Sequence, residues 1–339
     1  GLVAEAIFFC RKLVELSPEK AEFRQNLGLL LLKTGAWREG FALYEARWQA
    51  NRLSMLSPER LWQGQALAGK TILVWDEQGL GDTIHFARYI PMLQEQKGVV
   101  VVSVQEVLLG LLSRSFPEFK VVGRRAIEGL DYDFQVPFLS LFRLLPTEVE
   151  SVPATVPYLK IDDRYREKWH TRLMHESCLR VGVVWAGNPR HANDAKRSIP
   201  LALFAQLFAV AGVKFFGLKK ERDTGDLQLI STLPPTVRDR FVDLAEDLED
   251  FQDTAAILEN LDLLISVDTS VPHLAGALAR PVWLLLPFDA DWRWLVQRED
   301  SPWYPTMRLF RQPQPGAWQP VVERLCRRLQ EVVRGKADL

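Results

Sequence analysis

The chain carries a set of short, almost unbroken apolar runs: Thr71-Ile72-Leu73-Val74-Trp75, Val99 to Val102, Leu179 to Trp185, Val213 to Leu218, Leu261 to Val267 and Pro281 to Leu286. A strand with one wet face alternates apolar and polar residues, whereas a strand covered by helices on both faces reads apolar throughout. Between these runs lie segments of helical period, among them Val107 to Ser113, Leu201 to Ala211, 251 to 260 and 272 to 279. Phe119 to Val122 and Tyr132 to Val136 extend the alternation as shorter strands. Strands alternating with helices predict parallel, doubly wound α/β sheets. The runs fall into two groups on either side of a proline-rich stretch, residues 146 to 157, which reads as a linker. Two Rossmann-like domains are therefore expected, with a ligand in the cleft between them at the carboxyl ends of the strands.

The first 55 residues obey a different period. Leu2, Ala6, Phe9, Leu13 and Leu16 mark one helix, and Ser17-Pro18 breaks it. Phe23, Leu27, Leu30 and Leu31 mark a second, ended by Thr34-Gly35, and a third runs from Trp37 through Phe41, Tyr44 and Trp48. The spacing of Leu27-Gly28, Gly35, Gly40-Phe41, Tyr44 and Ala46, with Pro18 closing the preceding unit, resembles a tetratricopeptide repeat. Because about three repeats are needed for a self-supporting solenoid, this block is expected to lean on the adjoining α/β domain or to continue a longer array. Its role is either a cap over a domain face or a peptide-binding surface. The boundaries then read 1–55 for the tetratricopeptide-like helices and 56–170 for an N-terminal Rossmann-like domain. A C-terminal Rossmann-like domain spans 171–312, and a packing helix with Val321, Leu325, Leu329 and Val332 lies in 313–339.

Charge and composition narrow the partners. With 42 Lys and Arg against 43 Asp and Glu, the 339-residue chain has a formal net charge of -1, so no basic field draws it to nucleic acid. Cys10, Cys178 and Cys326 are odd in number and far apart, which fits a reducing compartment, and a cytoplasmic location is expected. No apolar run approaches the roughly 20 residues of a membrane span, and the N-terminal pattern is not that of a signal peptide. Gly1 in place of a methionine raises the expectation of a fragment of a longer protein.

Three loops carry chemistry. After the first strand comes Gly79-Leu80-Gly81-Asp82-Thr83-Ile84-His85, in which Gly79 and Gly81 permit a sharp turn and Asp82 opens a helix, either as an ordinary cap or facing a ligand. This is not the dinucleotide fingerprint, since a third glycine would be needed where Ile84 stands. At the tip of the Leu179 strand, a polar loop holds Gly187, Asn188, Arg190, Lys196 and Arg197, whose guanidinium groups suit phosphate, with a solvated loop as the plain alternative. The third is Asp268-Thr269-Ser270, with Pro272 and His273 just after it, where a strand delivers hydroxyl residues to a helix N-terminus. Backbone N–H groups and the dipole there favour a diphosphate; a capped helix with a packing histidine is the structural alternative. Aromatic residues at Phe288, Trp292, Trp294, Trp303 and Tyr304 would line a pocket or simply pack. Asp289-Ala290-Asp291 and Asp131-Tyr132-Asp133 have DxD spacing without supporting context, and no metal or other cofactor is expected.

Taken together, EQGLGDTIHFARY at 77–89, VGVVWAGNPRHANDAKRSIPL at 181–201 and ISVDTSVPHLAGALARPVWLLLP at 265–287 resemble bacterial tetratricopeptide-repeat proteins fused to a GT-B glycosyltransferase of the heptosyltransferase-like family. The resemblance implies a GT-B fold. It also implies that Asp82 is the catalytic base, that Arg197 contacts donor phosphate, and that Asp268, Thr269, Ser270 and His273 hold the donor phosphates and sugar. Ser270 departs from the family's glycine, which leaves the donor's identity open. The implied activity is metal-independent, inverting transfer of a hexose or heptose from a nucleotide sugar, with His85 as the alternative base. The acceptor is a glycan, or a polypeptide presented by the helical repeat. A non-catalytic nucleotide-sugar-binding scaffold and, further off, a sugar-nucleotide epimerase are the competing readings.

Overall fold

A computed structural model describes residues 2–145, 147–173 and 178–339. The chain forms two compact units: Gly1–Leu109, Phe116–Ala154 and Asp291–Arg298 in the first, Gly110–Ser115, Thr155–Ala290 and Glu299–Leu339 in the second. The stretch read as a linker lies where the chain passes from one unit to the other; its Pro146 is outside the described residues.

The first unit contains strands β1 (Thr71–Trp75), β2 (Val99–Val104), β3 (Lys120–Gly123) and β4 (Phe134–Pro137), ordered β3-β2-β1-β4 and all parallel. Ile72 stands opposite Val100 on one side and Phe134 on the other, so the apolar runs do line the centre of a covered sheet. The chain steps outward from β1 to β3 and then returns to the far side of β1. Its topological switch point is therefore between β1 and β4.

Helices α1 (Leu2–Leu16), α2 (Ala21–Lys33) and α3 (Trp37–Tyr44) belong to this same unit. α2 and α3 approach closely because glycines face each other: a Cβ on Gly28 would lie 2.9 Å from the Gly40 oxygen. The expected third helix is interrupted after Tyr44 and resumes as Arg47–Ala50. Arg47 is wholly buried, donating from Nε and Nη2 to Glu77 at 2.9 and 2.8 Å, from Nη1 to Glu45 at 2.7 Å and from Nη2 to Ser140 at 2.9 Å. Phe41 stacks on Phe142 at 3.9 Å between centroids, and Trp37 meets the same ring edge-on. The helices thus lean on the α/β layer of their own unit.

The second unit has six parallel strands: β5 (Leu179–Val184), β6 (Val213–Gly217), β7 (Phe241–Asp243), β8 (Leu263–Val267), β9 (Val282–Leu286) and β10 (Met307–Arg311), ordered β10-β9-β8-β5-β6-β7. The switch point here falls between β5 and β8. β7 and β10 are strands that the apolar pattern does not predict. β7 has only three residues, and β10 is an edge strand whose apolar run is broken by Arg308 and Arg311. Trp185, Phe204, Phe208, Phe215 and Phe241 form the core with the inner face of helix Gln319–Val333, which buries Val321, Leu325 and Leu329.

Two segments lie in a different unit from the one that the bounds 56–170 and 171–312 give them. Helix Asp163–Leu173 packs in the second unit, where the Trp169 indole donates to Asp253 at 2.7 Å and Arg166 pairs with Glu259. Residues 291–298 pack in the first, with Trp292 edge-on to Phe41 at 5.1 Å. The helix buries Trp169 and Leu173, and the turn buries Trp292 and Trp294 on either side of Arg293.

Candidate functional site

In the second unit, the switch point brings the loops after β5 and β8 together. Arg197, on the short helical turn Asp194–Arg197, donates from Nη1 to the Asp268 carbonyl at 2.8 Å and from Nε to the Asp194 carboxylate at 3.2 Å. Its side chain is only 17% exposed, and the guanidinium ties one strand tip to the other. Gly187 makes this possible, because a Cβ there would lie 2.6 Å from both Arg197 Nη2 and Asp194 Oδ1. The Gly187 N–H donates to Ser198 Oγ at 3.0 Å and closes the loop at its base.

Thr269 occupies the N-cap of helix Ser270–Ala277 with extended backbone, φ -135° and ψ -168°. Its side chain makes no capping bond, and Oγ1 is buried without a hydrogen-bond partner. A buried hydroxyl left unmatched at the positive end of a helix is suited to an incoming anion. His273 is buried one turn on, with Nδ1 3.0 Å from the Tyr304 hydroxyl and Nε2 3.9 Å from Asp268 Oδ1. Tyr304 in turn lies against Gly276, where a Cβ would meet the ring at 2.5 Å. The histidine ring is therefore fixed in position, and Ser270 sits beside it half-buried.

The same unit holds a cavity of about 1230 Å³ whose walls include Gly187, Lys196, Lys219, Glu221, Phe288 and Trp318. Lys219 is held by Asp226 at 2.5 Å above the Trp185 ring. Of the basic loop, Lys196 lines the cavity and Arg197 does not, while Arg190 and Asn188 are exposed and bond each other through the Arg190 N–H and Asn188 Oδ1 at 2.9 Å. Phe288 is exposed at the cavity wall, but Trp292, Trp294, Trp303 and Tyr304 are buried, so most of the downstream aromatics pack.

In the first unit, the glycine loop comes after β1 at the β1/β4 switch point. Gly79 is the N-cap of helix Leu80–Phe86, and its N–H donates to Asp82 Oδ2 at 2.9 Å, the reaching-back half of a capping box. Gly81 lies half-buried in the first turn. Asp82 Oδ1 accepts from Arg293 Nη2 at 2.5 Å, and the carboxylate stays 21% exposed. His85 is fully buried against Phe86, so the ring does not share Asp82's access to solvent. Tyr44 reaches the loop from α3, where its hydroxyl accepts from Gln78 Nε2 at 3.3 Å. Burial pushes the Tyr44 phenol up, an effect that Gln78, Arg47 and Arg293 oppose. Burial likewise opposes the charge on Arg293, yet the Asp291 and Asp82 carboxylates hold it above its ordinary value.

Among the described residues no group of three or more His, Cys, Asp and Glu side chains is placed to hold a metal. Asp291 caps the turn Trp292–Trp294 and pairs with Arg293; Asp133 bonds Lys70 and the Thr71 N–H.

Two all-parallel α/β units, each with a polar loop at its switch point, constitute a GT-B-type fold. Solved structures of the same fold include the ADP-heptose LPS heptosyltransferase II of E. coli, with a TM-score of 0.56 and 14% identity over 78% of this chain and 99% of that one. A glycosyl transferase family 9 structure from Veillonella parvula DSM 2008 has a TM-score of 0.52 and 12% identity, covering 74% and 88% of the two chains. At these identities the likeness is one of fold. In sequence the chain is 28% identical over 341 residues to Protein FlbA of Caulobacter vibrioides, an alignment that takes in 93% of this chain and 56% of FlbA. The chain thus spans about half the length of that curated relative. No family model matches it. No described helix is long and apolar enough to cross a membrane.

Sequence patterns do not single out Arg293, Tyr44 or the Arg47–Glu77 pair. The available signals are charges embedded in apolar surroundings: Arg293 between two tryptophans, and Glu77 two residues after a buried strand.

Proposed function

We propose that the chain is a metal-independent, inverting glycosyltransferase that moves a hexose or heptose from a nucleoside-diphosphate donor to a polypeptide or glycan acceptor. The observation that carries this reading is the unmatched Thr269 hydroxyl at a helix N-terminus, on the strand tip that Arg197 grips. In this account Arg197, the Thr269 and Ser270 amides and the helix dipole hold the diphosphate, with Lys196, Asp268 and His273 around it. The acceptor hydroxyl loses its proton to Asp82 while its oxygen bonds the anomeric carbon; the bond from that carbon to the phosphate oxygen breaks, and the diphosphate leaves with the electron pair. Charge on the leaving group is met by protein donors. The tetratricopeptide-like spacing of α2 and α3, and the exposed Phe8, Phe9 and Leu13 of α1, support a polypeptide acceptor. A cytoplasmic location fits the use of a nucleotide sugar.

The E. coli neighbour is named for ADP-heptose, so ADP-sugars are the first donors to try. One observation favours a non-catalytic scaffold instead: both Asp82 oxygens already accept hydrogen bonds. The decisive assay is release of nucleoside diphosphate from ADP-, UDP-, GDP- and dTDP-sugars by the full chain, with Asp82→Asn alongside. Turnover that Asp82→Asn abolishes is expected; binding without any turnover would leave the scaffold reading standing.

A further inference from the structure

Asp82 is held by a side chain that lies 211 residues away in sequence. Arg293 belongs to Asp291–Arg298, the stretch that joins the first unit although the residues before and after it belong to the second. Its guanidinium is confined on every side. The ring of Trp292 lies 4.4 Å from it and that of Phe86 5.5 Å, Nη1 donates to Asp291 at 2.9 Å, Nη2 donates to Asp82 at 2.5 Å, and the side chain is 7% exposed. The turn that carries it is capped by Asp291 and buries Trp292, Arg293 and Trp294 together. Such a guanidinium is a fixture of the fold.

We propose that Arg293 is the positioning residue for Asp82: it fixes one carboxylate oxygen while the Gly79 N–H fixes the other, so that the exposed edge of an ionised carboxylate is aimed at the acceptor hydroxyl. This rests on the reading of Asp82 as the base. The planar fork is needed because Nη1 and Nη2 serve two different carboxylates; a lysine ammonium would supply charge without that geometry. The titratable groups around Asp82 are Arg293 and Asp291 from the turn, Tyr44 from α3 and His85 from its own helix, with the Arg47–Glu77 pair behind Tyr44.

The test uses the full chain labelled with carbon-13 at the aspartate carboxyl carbons, the Asp82 resonance being identified by its loss in Asp82→Asn. In Arg293→Met the Asp82 midpoint is expected to rise by about one pH unit or more. In Arg293→Lys, which keeps the charge and guards against a failure to fold, the midpoint should move less. Donor hydrolysis should nonetheless fall roughly 10- to 100-fold in kcat with little change in KM, and the acid limb of its pH profile should track the NMR titration. An Asp82 midpoint unchanged in both variants would overturn the proposal. A midpoint that shifts as expected while kcat stays at the wild-type value would uphold the grip on Asp82 and reject Asp82 as the base.

Discussion

Replacing Arg47 with methionine tests whether the N-terminal helices are part of the first unit's core. Arg47 has no exposed surface, and its partner Glu77 keeps 1% of its own. With methionine in place, Glu77 keeps only the Leu139 N–H at 3.2 Å. A carboxylate left ionised in such a site costs several kcal/mol. The cheaper outcome is protonation, which at pH 7, against an ordinary carboxyl pKa of about 4.3, costs about 3.7 kcal/mol at 1.36 kcal/mol per unit. Burial already pushes the Glu77 carboxyl up and Arg47 opposes it, so removing Arg47 leaves burial and the Glu45 charge opposed only by the Leu139 N–H. A carboxyl whose folded value lies above its unfolded one favours the fold at low pH and loses that contribution as pH rises. The destabilisation in Arg47→Met should therefore be about 3 to 4 kcal/mol at pH 7 and fall to about 1 kcal/mol at pH 5. Urea unfolding monitored by hydrogen exchange at the β1 amides reads this locally. As a control, breaking the exposed Lys70–Asp133 pair with Lys70→Met should leave the urea midpoint nearly unchanged, because solvent screens the pair. A cost for Arg47→Met below about 1 kcal/mol at pH 7, or one independent of pH, would refute the reasoning.

Gly28→Ala places a methyl against backbone of α3 that has no room to yield, and should cost about 1 to 3 kcal/mol, read as a lower urea midpoint for the first unit alone. Gly276→Ala should push the Tyr304 ring away from its place beside His273, lowering the second unit's thermal midpoint and shifting the His273 ring resonances in NMR. Gly187→Ala should displace the Arg197 guanidinium; losing one charge-assisted bond from it to an ADP phosphate, worth about 1.5 to 3 kcal/mol, should weaken ADP binding roughly 10- to 150-fold by calorimetry.

The strands legible in the sequence are those with unbroken apolar runs, such as Val99–Val104 and Val282–Leu286, because double-sided burial leaves a local signature. β10 escapes because an edge strand tolerates Arg308, and helix Asp163–Leu173 because only Trp169 and Leu173 of its eleven residues are buried. The strand-tip loops are legible through residue type: hydroxyls, arginine and glycine stand where apolar runs stop. Their internal wiring is not. That Arg197 reaches the Asp268 carbonyl, or that Arg293 meets Asp82, depends on pairings across 71 and 211 residues that leave no periodicity in the chain. His85 illustrates the converse: its spacing from Asp82 is helical, but the neighbouring core encloses it completely.

The central claim is that the strand tip at Asp268–Ser270, gripped by Arg197, receives a nucleoside diphosphate. Calorimetric titration of the full chain with ADP, UDP and GDP, in parallel with Arg197→Ala and Thr269→Val, tests it most directly. The account predicts saturable one-to-one binding of at least one of the three, weakened about tenfold or more by each substitution and unaffected by Asp82→Asn. Absence of binding by all three, or binding undiminished in both variants, would contradict it.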